Sequence, residues 1–142
     1  MFIIDDSFKE SFVRVSETHI DDQDFLQYFY SIFTQKSKRV ATMFENTSME
    51  SQKLLLKKSL TELLKFYEEK KVNQHLLNIG QIHAEDKLNV SPEMYDLWLD
   101  ILIETVQKFD PEFHPKIELA WRVTLSPGIT YMKFAYKHPN LL

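Results

Sequence analysis

Three residues of this sequence combine reactive or hydrogen-bonding side chains with positions that turn them inward. His83 follows Leu76 by seven residues, Ile79 by four and Gly80 by three, so on a helix all four share one otherwise apolar face. An imidazole so placed is either a core histidine satisfied by local hydrogen bonds or a ligand to something buried, and spacing alone leaves both open. Tyr30 falls on the inner stripe Leu26, Phe29, Tyr30 and Phe33, and Gln52 opens the stripe Gln52, Leu56, Leu60 and Leu63. Each of the two, taken singly, is more often a satisfied core or rim residue than a site. Together, three helices each aim one polar group inward: an imidazole, a phenol and an amide. No inward pair of carboxylates accompanies them, so acid–base hydrolysis is poorly supported.

These groups need helices to position them, and hydrophobic periodicity supplies six or seven with no convincing strand. The first is expected from Ser7 to about Glu17, with Phe8, Phe12 and Val15 inward and Lys9, Glu10 and Arg14 outward. Asp21 or Asp22 is expected to cap the second. A short helix or turn spans Ser37 to Phe44. Thr47 with Glu50 makes a capping-box pattern ahead of a long helix to about Lys70. The helix that carries His83 runs over roughly Asn73 to Asp86. Ser91-Pro92-Glu93 starts the next, with proline at the first helical position. His114-Pro115 starts the last, whose inner stripe is Ile117, Ala120, Trp121, Thr124, Gly128 and Tyr131. Pro127-Gly128 within it predicts a kink and a close helix crossing.

Composition narrows the function classes. The chain has 142 residues, which fits one domain, 1–142. The absence of cysteine removes disulfides, thiolate metal sites and cysteine nucleophiles. Two isolated glycines cannot write a phosphate-binding loop and leave little for hairpins. A net charge of −4, from 17 basic and 21 acidic residues, offers no stripe for nucleic acid. No apolar run approaches the ~18 residues of a membrane span, and the first residues lack the basic region of a signal peptide. A cytoplasmic or equivalent reducing location is therefore expected. A metal ion held by amino acids alone uses three or four ligands, and one good ligand points inward here. One axial histidine with a polar group opposite suits a haem iron, because the porphyrin supplies the other four nitrogens.

The order of residues from about Asp24 to Tyr136 resembles bacterial single-domain globins, relatives of the globin domain of flavohaemoglobins. Phe29-Tyr30-x-x-Phe33 is similar to the stretch that carries their distal tyrosine. Met43-Phe44 resembles the place where globins set a phenylalanine against the haem. Ser51-Gln52 followed by Leu54-Leu55-Leu56 resembles the distal glutamine with a leucine over the iron. Ile79-Gly80-x-x-His83 resembles the proximal histidine, Pro92-Glu93-Met94-Tyr95 the helix start whose tyrosine lies beside it, and Ala120-Trp121 the tryptophan of the last helix. The segment Tyr95 to Asp100 is similar to one in small bacterial globins described as oxygen carriers. The resemblance implies an all-α globin fold of six to eight helices around a haem pocket. It implies haem b on His83 as the iron ligand, with Phe33, Phe44, Leu56 and Val90 around the cofactor. Tyr95, or a carbonyl one turn back, would receive the other ring nitrogen of His83. Tyr30 is the first choice as donor to a bound gas, and Gln52 the second. Arg39, Lys53 and Lys87 are candidates for the propionates or plain surface charges.

Two departures bear on activity. The glutamate that joins the proximal histidine and tyrosine in flavohaemoglobins has no counterpart, since Glu118 is the last acidic residue. A flavin reductase domain would begin where this sequence stops. Reversible binding of O₂, with NO or CO as further ligands, is thus the leading expectation. Nitric oxide dioxygenation or peroxidase chemistry would need an external reductase, and a haem-free interaction module is the third class. Exposed apolar positions on two neighbouring helices could form a homodimer.

Overall fold

The computed structural model describes residues 1–142. Seven helices follow in order: α1 (Ile4–Ser16), α2 (Phe25–Lys36), α3 (Lys38–Phe44), α4 (Met49–Glu69), α5 (Gln74–His83), α6 (Pro92–Phe109) and α7 (Pro115–Lys137). Between α1 and α2 lies a two-residue antiparallel hairpin, β1 (His19–Ile20) and β2 (Gln23–Asp24). It corrects the expectation of no strand and moves the cap of α2. Asp21 and Asp22 take left-handed φ values of 52° and 66° to turn the hairpin, which short polar residues tolerate. Asp24 is left as the cap and accepts from the Gln27 amide at 2.8 Å. With α2 starting at Phe25, that ring enters the core and Leu26 is only half-buried. At α4 the cap is Ser48 rather than Thr47, accepting from the Ser51 amide.

The inner stripes otherwise fall as the periodicity predicts. Gln52, Leu56, Leu60 and Leu63 of α4 are all buried, as is the whole stripe of α7 from Ile117 to Tyr131. Trp121 is fully buried, with its ring centroid 4.7 Å from Phe8 and 6.0 Å from Phe25. The close crossing predicted at Gly128 is the contact between α7 and α4: a Cβ there would meet Leu63 Cδ2 at 2.0 Å. Pro127 lies inside α7, which continues through it to Lys137. The helix that carries His83 ends at His83 instead of Asp86, because its cap residue Ala84 leaves the helical region with ψ 162°.

The candidate residues sit on α2, α4 and α5. Helices α4 and α5 each lean closely on α7 but touch one another little, although they are consecutive in the chain. Both helices thus take their support from α7, and Tyr30 and Phe33 of α2 and Leu56 of α4 are buried nearby in the same core.

Candidate functional site

Asn73 caps α5 through the Leu76 amide at 2.9 Å. Gly80 brings α5 against α7: a Cβ at that position would lie 3.0 Å from Ala135 Cβ and 3.2 Å from the Tyr131 hydroxyl. The small residue three positions before His83 therefore sets how deeply the imidazole is seated.

His83 Nδ1 lies 3.0 Å from the Tyr95 hydroxyl. Of the two partners expected for this nitrogen, the structure shows the tyrosine. Tyr95 is buried in the first turn of α6. That turn begins at Pro92, while Ser91, the cap by position, makes no side-chain cap bond. Burial pushes the His83 pKa down to about 4, so the ring is neutral at pH 7. Burial alone pushes the Tyr95 phenol up, so it stays protonated. A neutral imidazole carries one proton. If Nδ1 donates to Tyr95, the Nε2 lone pair is exposed for coordination, and no protein group contacts it as a hydrogen-bond partner.

Tyr30 is buried on α2. Its ring meets Phe44 edge-on at 5.4 Å and Phe29 at 5.2 Å. Burial raises its pKa, with no hydrogen bond contributing. Its hydroxyl is thus a proton donor held in apolar surroundings without a protein acceptor. Phe33 and Leu56 are buried and Phe44 half-buried. Val90 is also buried, and its amide donates to the His83 carbonyl at 3.0 Å, tying the following loop to the histidine.

Gln52 is buried as expected but its amide is committed. Nε2 donates to the carbonyls of Thr47 at 3.1 Å and Phe44 at 3.3 Å. Both neighbours are acceptors, which fixes the NH₂ group toward them. The residue therefore staples the turn between α3 and α4. Lys53 pairs with Asp24 at 2.5 Å, so that candidate propionate partner is held by the cap of α2. Arg39 donates to the Leu88 and Asn89 carbonyls, and Lys87 is an exposed side chain.

Of the other histidines, His114 caps α7 through the Lys116 amide, and His138 packs against Phe134. His75 has a buried Nε2 without a partner, although its ring as a whole is only partly covered. No three His, Asp or Glu side chains converge as a metal-ion site. An open surface cavity of about 300 Å³ is lined by Tyr28, Ile32 and residues of α6, on the face of α2 opposite Tyr30. No helix is long and apolar enough to cross a membrane.

The main feature missed in the sequence is a buried polar junction of Ser11, Arg14, Asp110 and Trp121. Arg14, expected to face outward, donates Nε and Nη2 to the Asp110 carboxylate at 2.7 and 2.9 Å. The only signal was an acid beside a proline at a helix end.

Comparison with known proteins agrees with this geometry. The family model described as globin matches residues 20–130. Among solved structures, the chain is similar to the protein PA3967 from Pseudomonas aeruginosa PAO1, described as structurally highly homologous to a human hemoglobin. The identity is 28% and the TM-score 0.85, over 95% of this chain and 99% of that one. No curated protein matches. With a globin model over most of its length and a globin arrangement of helices, the chain belongs to the globin family.

Proposed function

We propose that this globin holds haem b through His83 and reversibly binds a diatomic gas, O₂ foremost, as a carrier, store or scavenger. The observation that carries the reading is the donor set. His83 is a half-buried neutral imidazole with Nδ1 paired to Tyr95 and Nε2 without a protein partner, on a helix that touches α4 little. That nitrogen is not sealed in the core, so a group from outside the chain can reach it. The residues fit the group: the imidazole nitrogen without a protein partner would hold the iron, and the apolar side chains of Phe33, Phe44 and Leu56 would face the porphyrin. When bound, haem would supply a ferrous iron that takes up the gas.

The protein's own side chains do the rest. Tyr95 fixes the ring's orientation and tautomer, leaving Nε2 free to coordinate. Phe33, Phe44, Leu56 and Val90 exclude water, which protects ferrous iron. Tyr30 keeps its proton and donates it in a hydrogen bond to the gas. Gln52, whose amide already serves the Phe44 and Thr47 carbonyls, acts by holding Phe44 in place. The partner of His83 is a neutral phenol, which gives the ring less negative character than a carboxylate would. This favours binding over O–O cleavage, and an external reductase would be needed to return oxidised iron to the ferrous state. A cysteine-free chain suits a reducing cytoplasm.

The test is titration of the purified protein with haemin, followed by reduction and exposure to O₂ and CO. A sharp Soret band saturating at one haem per chain, shifting reversibly with each gas, is expected. Uptake no stronger than to an unrelated protein would end the proposal.

A further inference from the structure

The loop from Ala84 to Val90 is unusually well tied for an exposed connection. Four of its amides turn back onto the end of α5 and its cap: Lys87 to Ala84 at 2.9 Å, Leu88 to Ile82 at 3.1 Å, Asn89 to Ala84 at 2.9 Å and Val90 to His83 at 3.0 Å. Helix α7 holds it from one side, where the Tyr136 carbonyl accepts from the Glu85 amide at 3.0 Å and the Tyr136 hydroxyl donates to Asn89 Oδ1. Asn89 has φ 57°, in the left-handed region. The carbonyls of Leu88 and Asn89 both meet Arg39 of α3, whose Nη2 donates to them at 3.2 and 2.6 Å.

That last contact ties helix α3 directly to the loop that follows His83. Helix α3 packs mainly on α2 and ends at Phe44, beside Tyr30. The loop belongs to the other side, where Val90 is bonded to His83 and α6 opens toward Tyr95. We propose that Arg39 is a clasp across the rim of the pocket: it holds the loop that follows His83 against α3, and the rim opens only when both of its bonds break. Arg39 positions this loop and touches no reacting atom. A guanidinium suits the role because one nitrogen carries two protons, so it can serve two carbonyls together. Its acceptors are neutral carbonyls, so the clasp needs no carboxylate from a cofactor. The retention of a ligand between α3 and α5 rests on the haem reading; the clasp itself does not.

The experiment compares the full chain with Arg39→Met, which keeps most of the stem, and Arg39→Lys, which can still reach one carbonyl. Amide hydrogen exchange on the protein as isolated needs no haem. Arg39→Met is expected to speed exchange at Asn89 and Val90 by about ten-fold, the equivalent of one hydrogen bond to a charged group. Exchange in the middle of α7 should not change, and Arg39→Lys should restore most of the protection. Unchanged exchange at both residues overturns the clasp. On haem-loaded protein, Arg39→Met is expected to speed haem transfer to a scavenging apo-globin about ten-fold, equally for haem and for its dimethyl ester. Acceleration confined to free-acid haem would make Arg39 a propionate partner and overturn the retaining role. Failure of the wild type to take up any haem would sink the proposed function instead, and the exchange result would still decide the clasp.

Discussion

Two clusters of polar side chains in this molecule are built on opposite terms. Where α1, α6 and α7 meet, Asp110 is 3% exposed and every lone-pair direction is used. Ser11 Oγ donates to it at 2.6 Å, Arg14 with two bonds, and the Glu112 amide at 2.9 Å, while Trp121 Nε1 donates to Ser11 at 2.9 Å. Around His83 and Tyr30 the bonding stops short. One imidazole nitrogen is held by Tyr95, and the other imidazole nitrogen and the Tyr30 phenol have no protein partner. A closed cluster in the interior joins helices; an open one holds groups ready for something that is not part of the chain. Burial alone does not separate the two, since Tyr30 at 5% is about as covered as Asp110. Satisfaction does.

The largest effect expected from this contrast is on stability at the closed junction. Asp110→Ala leaves Arg14 and Ser11 facing an uncompensated gap and should lower unfolding free energy by about 3–5 kcal/mol, measured by denaturant titration. The haem spectrum of the folded fraction should remain that of the wild type. A variant with normal stability and an altered spectrum would invert the contrast.

The same junction predicts the acid limb of stability. Burial tends to raise the Asp110 pKa, but the bonds from Arg14 and Ser11 outweigh it and hold the carboxyl below its ordinary range. In the unfolded chain that carboxyl takes up its proton near pH ~3.9. Just below this the unfolded state binds more protons than the folded one, so stability falls as pH falls. The contribution is complete above about pH 5 and is lost through the window below. Arg14→Met should flatten this limb; an unchanged slope would show that other carboxylates set it.

At the open cluster the expected effects are on ligands. Tyr30→Phe should speed O₂ dissociation about ten-fold, since a hydrogen bond to a charged acceptor is worth ~1.5–3 kcal/mol. Carbon monoxide, with less charge on its outer atom, should respond less. Stability should hold or rise slightly, because the lost hydroxyl had no protein partner. Equal changes for both gases would indicate altered access instead. Gln52→Leu should do least to O₂, about three-fold or less, while costing about 1 kcal/mol of stability through the lost staple. An O₂ effect larger than that of Tyr30→Phe would exchange the two roles.

Much of the architecture was legible because it is periodic. The stripes of α4 and α7 repeat at helical spacing, and His83 stood out as an imidazole between apolar residues on one face. Local choices between chemically equal neighbours were not legible. Thr47 and Ser48 are both good caps, as are Asp21, Asp22 and Asp24, and a hairpin turn decided the second case by taking two of them. Arg14 looked like a surface charge because its partner is 96 residues away and such pairs leave no spacing to read. For Gln52, the sequence indicated burial but not the direction of its amide, which depends on where the Phe44 and Thr47 carbonyls point.

The central claim is that His83 Nε2 coordinates the iron. His83→Gly removes the ligand and leaves a space the size of an imidazole, so the decisive measurement is the Soret spectrum of haem-titrated His83→Gly with and without added imidazole. The account predicts that the variant loses the wild-type band and ordered haem uptake, and that free imidazole restores both. Wild-type spectrum and haem content in His83→Gly without imidazole would show that another residue holds the iron, and would contradict it.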